Sequence, residues 1–220
     1  MRGRVKAAPL AGRGPRRYAV NEIFFSLQGE GARAGTRNVF VRFAGCNLRC
    51  DLKRGKRSPG GFMCDTEFES GRPLTAPEIV KEARRLTEPG GVGVIFTGGE
   101  PGLQLDAGLV TALRSAGFGP LCIETNGTVD VSDLGLDWIT LSPKVAEHAV
   151  KLRECSELKY VRGFGQGLPR PRAKAKHKFI SPAFSGEAVD RATLKWCIDL
   201  VKANPGWALS TQQHKTWRIR

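Results

Sequence analysis

From Tyr18 onward, apolar and polar residues alternate in short blocks closed by glycine, proline or small polar clusters. YAVNEIFFSL, Tyr18–Leu27, predicts a strand that runs into the turn QGEG, Gln28–Gly31. NVFVRFAG, Asn38–Gly45, predicts a second strand by its alternation. A helix starts at Thr75-Ala-Pro-Glu78: Thr75 can cap it, Pro77 fits its first turn, and Glu78 completes a capping box. Ile79, Val80, Ala83 and Leu86 continue it at helical spacing. GVGVIF, Gly91–Phe96, predicts a buried strand before TGGEP. Leu109, Val110 and Leu113 then mark a helix stopped by Gly117. Strands are expected in LCIETNG, DWITLSPK, ELKYV, KFISP and WALS, with a helix from about Ala188 to Ala203. GFGQGLPRPRAKAKHK, Gly163–Lys178, reads as an exposed connection.

Short buried strands alternating with helices predict an α/β fold with a mostly parallel sheet. QGEG, GCNLRC, TGGEP, ETNG, SPK and ISP each follow a predicted strand. That is where such sheets gather their active sites. The chain shows no internal repeat. Residues 1–17 are expected to form a disordered basic tail, and 18–220 a single domain.

Composition narrows the function classes. No run of about 18 apolar residues occurs, so no membrane span is expected. MRGRVKAAPLAGRGPRR lacks the apolar core of a secretion signal, so the chain reads as cytoplasmic. Six cysteines in that setting read as reduced thiols. Cys122, Cys155 and Cys197 sit among apolar neighbours and read as small core residues. The net charge of +14 invites a nucleic-acid partner. Its distribution argues against one: six basic residues fall in Met1–Arg17, four in Lys53–Arg57, and many in Arg162–Lys178. No aromatic residues interleave with these charges as a single-strand groove requires.

The distinctive chemistry lies in FAGCNLRCDLKRGKRSPGGFMCDTEF, Phe43–Phe68. There Cys46, Cys50 and Cys64 have the spacing C-x3-C-x13-C. A disulfide uses thiols in pairs, and a structural zinc site closes four ligands. Three thiolates on an iron–sulfur cluster leave one coordination position open. Zinc with a borrowed fourth ligand is the alternative, but His148, His177 and His214 are all distant in sequence. In TGGEP, Gly98 and Gly99 let the backbone approach a ligand, and Glu100 can answer an ammonium group.

FAGCNLRC with a later CDT, TGGEP after a strand, ETNG and SPK together resemble the radical S-adenosylmethionine enzymes. YAVNEIFFSLQGEG followed by VFVRFAGCNLRC is similar, more narrowly, to the 7-carboxy-7-deazaguanine synthase family. The likeness runs from about Tyr18 to the end of the chain. It implies a partial (β/α) barrel with fewer helices than strands, a 4Fe–4S cluster, S-adenosylmethionine and magnesium. It also implies ring contraction of 6-carboxy-5,6,7,8-tetrahydropterin, through a 5′-deoxyadenosyl radical, to 7-carboxy-7-deazaguanine and ammonia. By this resemblance Cys46, Cys50 and Cys64 match the cluster ligands. Gly98, Gly99, Glu100, Glu124, Ser142, Pro143, Lys144, Ser181 and Pro182 match S-adenosylmethionine contacts. Leu27, Gln28, Gly29, Glu30, Arg42, Thr97, His214 and Arg220 match substrate contacts, with Arg42 on the carboxylate and the terminal carboxylate at Arg220 closing over the pterin. Thr66 matches a magnesium ligand. A flavodoxin-type electron donor and a homodimer are also implied.

Two features depart from the family. The usual cysteine spacing is C-x3-C-x2-C, so MCDT is displaced here by an insert. A loop absorbs about eleven extra residues at modest entropic cost. Lys53, Arg54, Lys56 and Arg57 in the insert are candidates for meeting an acidic electron donor. Ser181 also stands where the family often carries glutamine. Two rival readings are another radical S-adenosylmethionine enzyme, such as a glycyl-radical activase, and a non-catalytic metal-bearing RNA-binding module.

Overall fold

The computed structural model describes residues 14–48, 50, 64, 66–185 and 188–220. Most of the expected basic tail, the Asp51–Met63 insert and its electron-donor contact lie outside these residues. The alternating segments pair as expected. Strand β1 (Arg17–Leu27) runs antiparallel to β2 (Arg37–Phe43), and its other edge takes β3 (Arg72–Thr75). Helix α1 (Ala76–Leu86) starts with the predicted capping box: Thr75 accepts from the Glu78 N–H, and Glu78 accepts from the Thr75 N–H at 2.7 Å. Then come β4 (Gly93–Gly98), α2 (Ala107–Ser115), β5 (Leu121–Thr125), β6 (Trp138–Leu141), β7 (Glu154–Arg162) and β8 (Lys174–Pro182). A small hairpin of β9 (Phe184–Ser185) and β10 (Ala188–Val189) leads to α3 (Arg191–Ala203), β11 (Ala208–Leu209) and α4 (Gln213–Trp217).

Nine strands form one sheet in the order β11-β8-β7-β6-β5-β4-β2-β1-β3, parallel from β11 through to β2. The β5–β6 and β6–β7 connections carry only short 3-10 turns, and β7–β8 is joined by a loop. This is the partial (β/α) barrel with fewer helices than strands. No helix among the described residues is long and apolar enough to cross a membrane.

The structure differs from the sequence expectations in five places. Lys174–Lys178 is not part of an exposed connection but the first half of β8, paired with β7 from Glu154 onward. Backbone pairing there overrides the lysine-rich composition. The tail boundary moves as well: Arg17 is already in β1, and Arg16 pairs with Asp106 at 2.6 Å. The helix expected from Ala188 begins at Arg191, where Asp190 accepts from the Thr193 N–H at 2.8 Å. Strand β3 was not anticipated because Pro73 disguises it, and an edge strand tolerates proline. The five-residue α4 is too short to show a period.

Alternation divides the sheet. Val39, Val41, Phe43, Val94, Phe96, Leu121, Ile123, Leu141, Leu158 and Ile180 are buried in one apolar core with Ile79, Ala83, Leu109 and Leu113 of the helices. The other face carries a smaller apolar cluster, Phe24, Phe40, Ile95 and Cys122 against Trp138, and above it a row of polar residues.

Candidate active site

The polar row follows from strand register. Arg42 of β2 pairs with Thr97 of β4, and the Thr97 hydroxyl donates to Glu124 of β5 at 3.3 Å. Glu124 pairs with Thr140 of β6, Thr140 with Glu157 of β7, and Glu157 with His177 of β8. Arg42 thus takes the interior alternative. Its Nε donates to Glu22 Oε1 at 2.9 Å, and its guanidinium lies 5.8 Å from the Phe24 ring centre.

The turn after β1 crosses this row. Gln28 donates to Glu124 at 2.9 Å. Glu30 pairs with the Lys159 ammonium and accepts from Gln212 at 3.0 Å. The Gly31 N–H donates to Ser210 at 2.9 Å, and the Ala32 N–H to Glu157 at 2.8 Å. So Gln28–Ala32 is a strap from β1 across to β7 and the segment after β11. Helix α4 locks it from outside: the Gln213 N–H donates to the Gly29 carbonyl at 2.9 Å, and the His214 ring fills the space a side chain at Gly29 would occupy.

Charge in this layer is unbalanced. Lys159 is buried and lies 3.9 Å from Glu124 as well as against Glu30. Burial pushes the Glu30 carboxyl up, but the Lys159 charge and the hydrogen bonds from Lys159 and Gln212 outweigh it and hold it below the usual range. Burial would lower the Lys159 ammonium, yet Glu30 and Glu124 raise it above its ordinary value. Glu157 goes the other way: burial raises it more than the Ala32 N–H and Lys159 lower it. Lys159 thus lies among Glu30, Glu124 and Glu157, and Arg33 lines the same small cavity as these carboxylates.

A second group lies where β2 and β4 end. Gly98 and Gly99 approach the Phe43–Gly45 backbone so closely that a side chain on either would collide with it. The Gly99 N–H donates to the Phe43 carbonyl at 3.2 Å, and the Glu100 N–H to the Gly45 carbonyl at 3.0 Å, which sets TGGE beside Cys46. Glu100 is completely buried. It accepts from the Gly102 N–H at 2.9 Å, and from the Thr125 hydroxyl and the Asn126 N–H at 2.7 Å each. Burial raises its pKa despite these donors. The ETNG segment thus serves largely to hold Glu100.

None of the three cysteines is in a disulfide, and the insert does not scatter them. The Cys64 N–H donates to the Cys50 carbonyl at 3.0 Å, so the chain leaves and returns at one point. Burial raises the Cys46 thiol, eased by the Leu48 N–H and reinforced by Glu100, Cys50 and Cys64. Among the described residues no three His, Cys, Asp or Glu side chains surround a single-ion position. A cluster takes its thiolates at separate iron corners. The donor set fits the cluster. Thr66 follows, its carbonyl accepting from Cys64 Sγ at 3.7 Å, and Glu67 beside it is held by Asn21 and Ser70.

The remaining expected residues split by location. Lys144 donates to Ser142 at 2.6 Å, and Pro143 and Lys144 line a cleft of about 430 Å³ with Glu147, Tyr160, Arg162 and Arg170. Ser181 and Pro182 pair with Val161 and Arg162, and of these Arg162 lines the cleft. Glu124, expected with this S-adenosylmethionine set, instead bonds Gln28 and Thr97 of the substrate set. Leu27 ends β1, and Arg220 lies against its face. Sequence reasoning did not single out Glu22, Glu157, Lys159, Ser210 or Gln212. For Glu157 and Lys159 the usable signal was two charges at alternate positions flanking Leu158 within a strand.

The Radical SAM superfamily model matches residues 40–157. The chain is 40% identical over 214 residues to the 7-carboxy-7-deazaguanine synthase of Bradyrhizobium diazoefficiens, covering 92% of this chain and 99% of the relative. It is 39% identical over 204 residues to the enzyme of the same name from Bacteroides thetaiotaomicron, covering 91% and 98%. For that of Burkholderia multivorans the identity is 41% over 213 residues, covering 92% and 99%. The crystal structure of QueE from Escherichia coli superposes with a TM-score of 0.63 at 23% identity, over 90% of this chain and 95% of that one, which supports the fold. With the three cysteines and TGGE side by side at the end of β2, and with similarity along nearly the whole length of these relatives, the chain belongs to the 7-carboxy-7-deazaguanine synthase family of radical S-adenosylmethionine enzymes.

Proposed function

We propose that this protein converts 6-carboxy-5,6,7,8-tetrahydropterin to 7-carboxy-7-deazaguanine with release of ammonia. The observation that carries this reading is the polar row running from Arg42 through Thr97 to Glu124, crossed by Gln28 and Glu30 and adjoining the cysteine end of β2. Cys46, Cys50 and Cys64 would hold the 4Fe–4S cluster, leaving one iron open to S-adenosylmethionine. When bound, these two groups supply one-electron cleavage of a carbon–sulfur bond and so hydrogen-atom abstraction.

The chain's residues bind and orient. Arg42 offers a guanidinium fork to the substrate carboxylate. Gln28, Glu30, Thr97 and Glu124 face the N–H-rich edge of the pterin, and the strap with His214 and Leu27 shields the site from water. Gly98, Gly99 and Glu100 would hold the amino group of S-adenosylmethionine. Ser142, Pro143, Lys144, Ser181 and Pro182 would contact its remainder. Thr66 supplies a hard oxygen for magnesium. The electron comes from a donor protein of the flavodoxin class. Residues 18–220 act as one domain, supported by a sheet that runs from Arg17 to Leu209. A cytoplasmic homodimer without a nucleic-acid partner completes the proposal.

The test is anaerobic. The protein is reconstituted with iron and sulfide, supplied with reductant, S-adenosylmethionine, magnesium and the pterin, and the product is identified by mass. Formation of 7-carboxy-7-deazaguanine is expected. Appearance of 5′-deoxyadenosine alone would overturn the substrate assignment. Cys50→Ala is expected to lose the cluster's iron and its brown colour. A Cys50→Ala protein with full iron and turnover would overturn the ligand assignment.

A further inference from the structure

Asn47, between the first two cysteines, closes a ring of hydrogen bonds with two residues of the turn after β5. Its Nδ2 donates to the Thr128 hydroxyl at 2.7 Å. That hydroxyl donates to Asn126 Oδ1 at 2.6 Å. Asn126 Nδ2 returns a bond to Asn47 Oδ1 at 3.3 Å. The Thr128 N–H also donates to Asn126 Oδ1, at 2.9 Å. A backbone N–H can only donate, so it fixes which end of the Asn126 amide is oxygen. The Asn126 nitrogen then meets the Asn47 oxygen, and the Asn47 nitrogen is left for Thr128. One arrangement of protons therefore serves the whole ring.

The ring is one side of a larger frame around Cys46. The Gly45 carbonyl, just before this cysteine, accepts from the Glu100 N–H at 3.0 Å. Asn47, just after it, is gripped by Asn126 and Thr128. The frame closes because the Asn126 N–H donates to Glu100 Oε2 at 2.7 Å. Asn126 is buried, whereas Asn47 lies exposed on the cysteine loop. A local turn accounts for the bonds between Asn126 and Thr128 but has no need of Asn47. Holding Glu100 takes the Thr125 hydroxyl and the Asn126 N–H, not the Asn126 side chain. That side chain is spent on the loop that carries Cys46.

We infer that Asn126, Asn47 and Thr128 are positioning residues that hold the Cys46 loop in register with Glu100, and so set the fit of S-adenosylmethionine to the site. The inference rests on the proposed reading of Cys46, Cys50 and Cys64 as cluster ligands and of Glu100 as the amino-group contact. The three residues act through Cys46 and Glu100. Cluster assembly needs only the thiolates, so the ring bears on cofactor binding and not on iron content.

The experiment uses the full chain, reconstituted anaerobically with iron and sulfide. Iron content, calorimetric affinity for S-adenosylmethionine, and the electron paramagnetic resonance spectrum of the reduced cluster with and without S-adenosylmethionine are measured. Thr128→Val and Asn47→Ala each open the ring while leaving the cysteines and all three donors to Glu100 in place. Both are expected to keep the iron content of the unaltered protein and to bind S-adenosylmethionine about three- to tenfold more weakly. The spectral change on adding S-adenosylmethionine should shrink in both. Thr128→Ser keeps the hydroxyl and should return the affinity to within about twofold of the unaltered protein. Failure of that rescue would trace the effect to side-chain shape and overturn the hydrogen-bonding role. Loss of iron in step with affinity would mean that the ring folds the cysteine loop rather than aligning it, which also overturns the inference. If Glu100→Gln weakens S-adenosylmethionine binding but neither ring-opened variant does, the inference fails and the functional reading stands. If the unaltered, reconstituted protein binds no S-adenosylmethionine, both fall.

Discussion

The two faces of the parallel sheet are made by alternate residues of the same strands, yet they obey different rules. On the helix-covered face, Val39, Val41, Val94, Phe96, Leu121 and Ile123 are all buried and apolar. On the opposite face the intervening positions carry Arg42, Thr97, Glu124, Thr140, Glu157 and Lys159. These are paired with one another, with Glu22 of β1 and with the strap. The first face repays burial of apolar area. The second keeps polar groups away from water by pairing them within the fold, with Gln212 Oε1 left without a partner among the described residues, and such burial is costly wherever a partner is missing. A strand that supplies both faces separates stability from recognition by the parity of its residues.

The sharpest way to break that comparison is to damage each face and measure both stability and ligand binding. Phe96→Ala opens a cavity beneath Phe43 in the apolar core, where the two rings lie 6.2 Å apart. A loss of about 3–5 kcal/mol by urea denaturation is expected. Lys159→Met tests whether the polar face is also structural, because Glu30 would be left buried and unpaired. About 3 kcal/mol should be lost at neutral pH. Adding Glu30→Leu should recover much of that loss but not pterin binding.

The same pair sets a pH signature. Glu30 has a depressed pKa in the folded protein, so its stabilisation is present above the unfolded carboxylate range and is lost as pH falls through the folded value. Lys159 is raised, so its contribution holds below the unfolded lysine range and is lost only as pH rises through its folded value. The gap between the unaltered protein and Lys159→Met should therefore be widest near neutrality and narrow in acid, where Glu30 becomes neutral. A pH-independent gap would mean that the lysine stem, not its charge, holds the strap.

Smaller effects sharpen the division. Thr75→Ala removes the α1 cap on the helix-covered side and should cost about 1 kcal/mol while leaving ligand affinity unchanged. Thr97→Val is the converse. It removes one weak donor to Glu124, and stability should change by only about 0.5 kcal/mol. Calorimetric affinity for 7-carboxy-7-deazaguanine should nevertheless fall measurably. If Thr97→Val affects stability more than binding, the polar row is scaffold rather than site.

Much of the fold was legible in short-range pattern. The Thr75–Glu78 capping box, the Gly117 stop and the parallel strands from Asn38 to Leu141 follow local rules, and the structure keeps them. Lys174–Lys178 misled because pairing with β7 is a nonlocal reward that composition does not record. The cysteines and TGGEP announced themselves as motifs. Alternation placed Arg42 opposite Val41 and Phe43 but could not say which side was the interior. That depended on helices packing on one face and the Gln28–Ala32 strap on the other.

By itself, then, the sequence determined the α/β class, the family and the three thiols, because period, caps and contiguous motifs act through neighbouring residues. Only the tertiary structure brought Cys64 back to Cys50 across the insert, put Lys159 against Glu30, and laid Arg220 beside Arg42 on Phe24. Those meetings join residues from 14 to almost 200 positions apart. They are selected by the closing of the sheet and by the need to pair every buried charge, neither of which any single stretch of chain can satisfy alone.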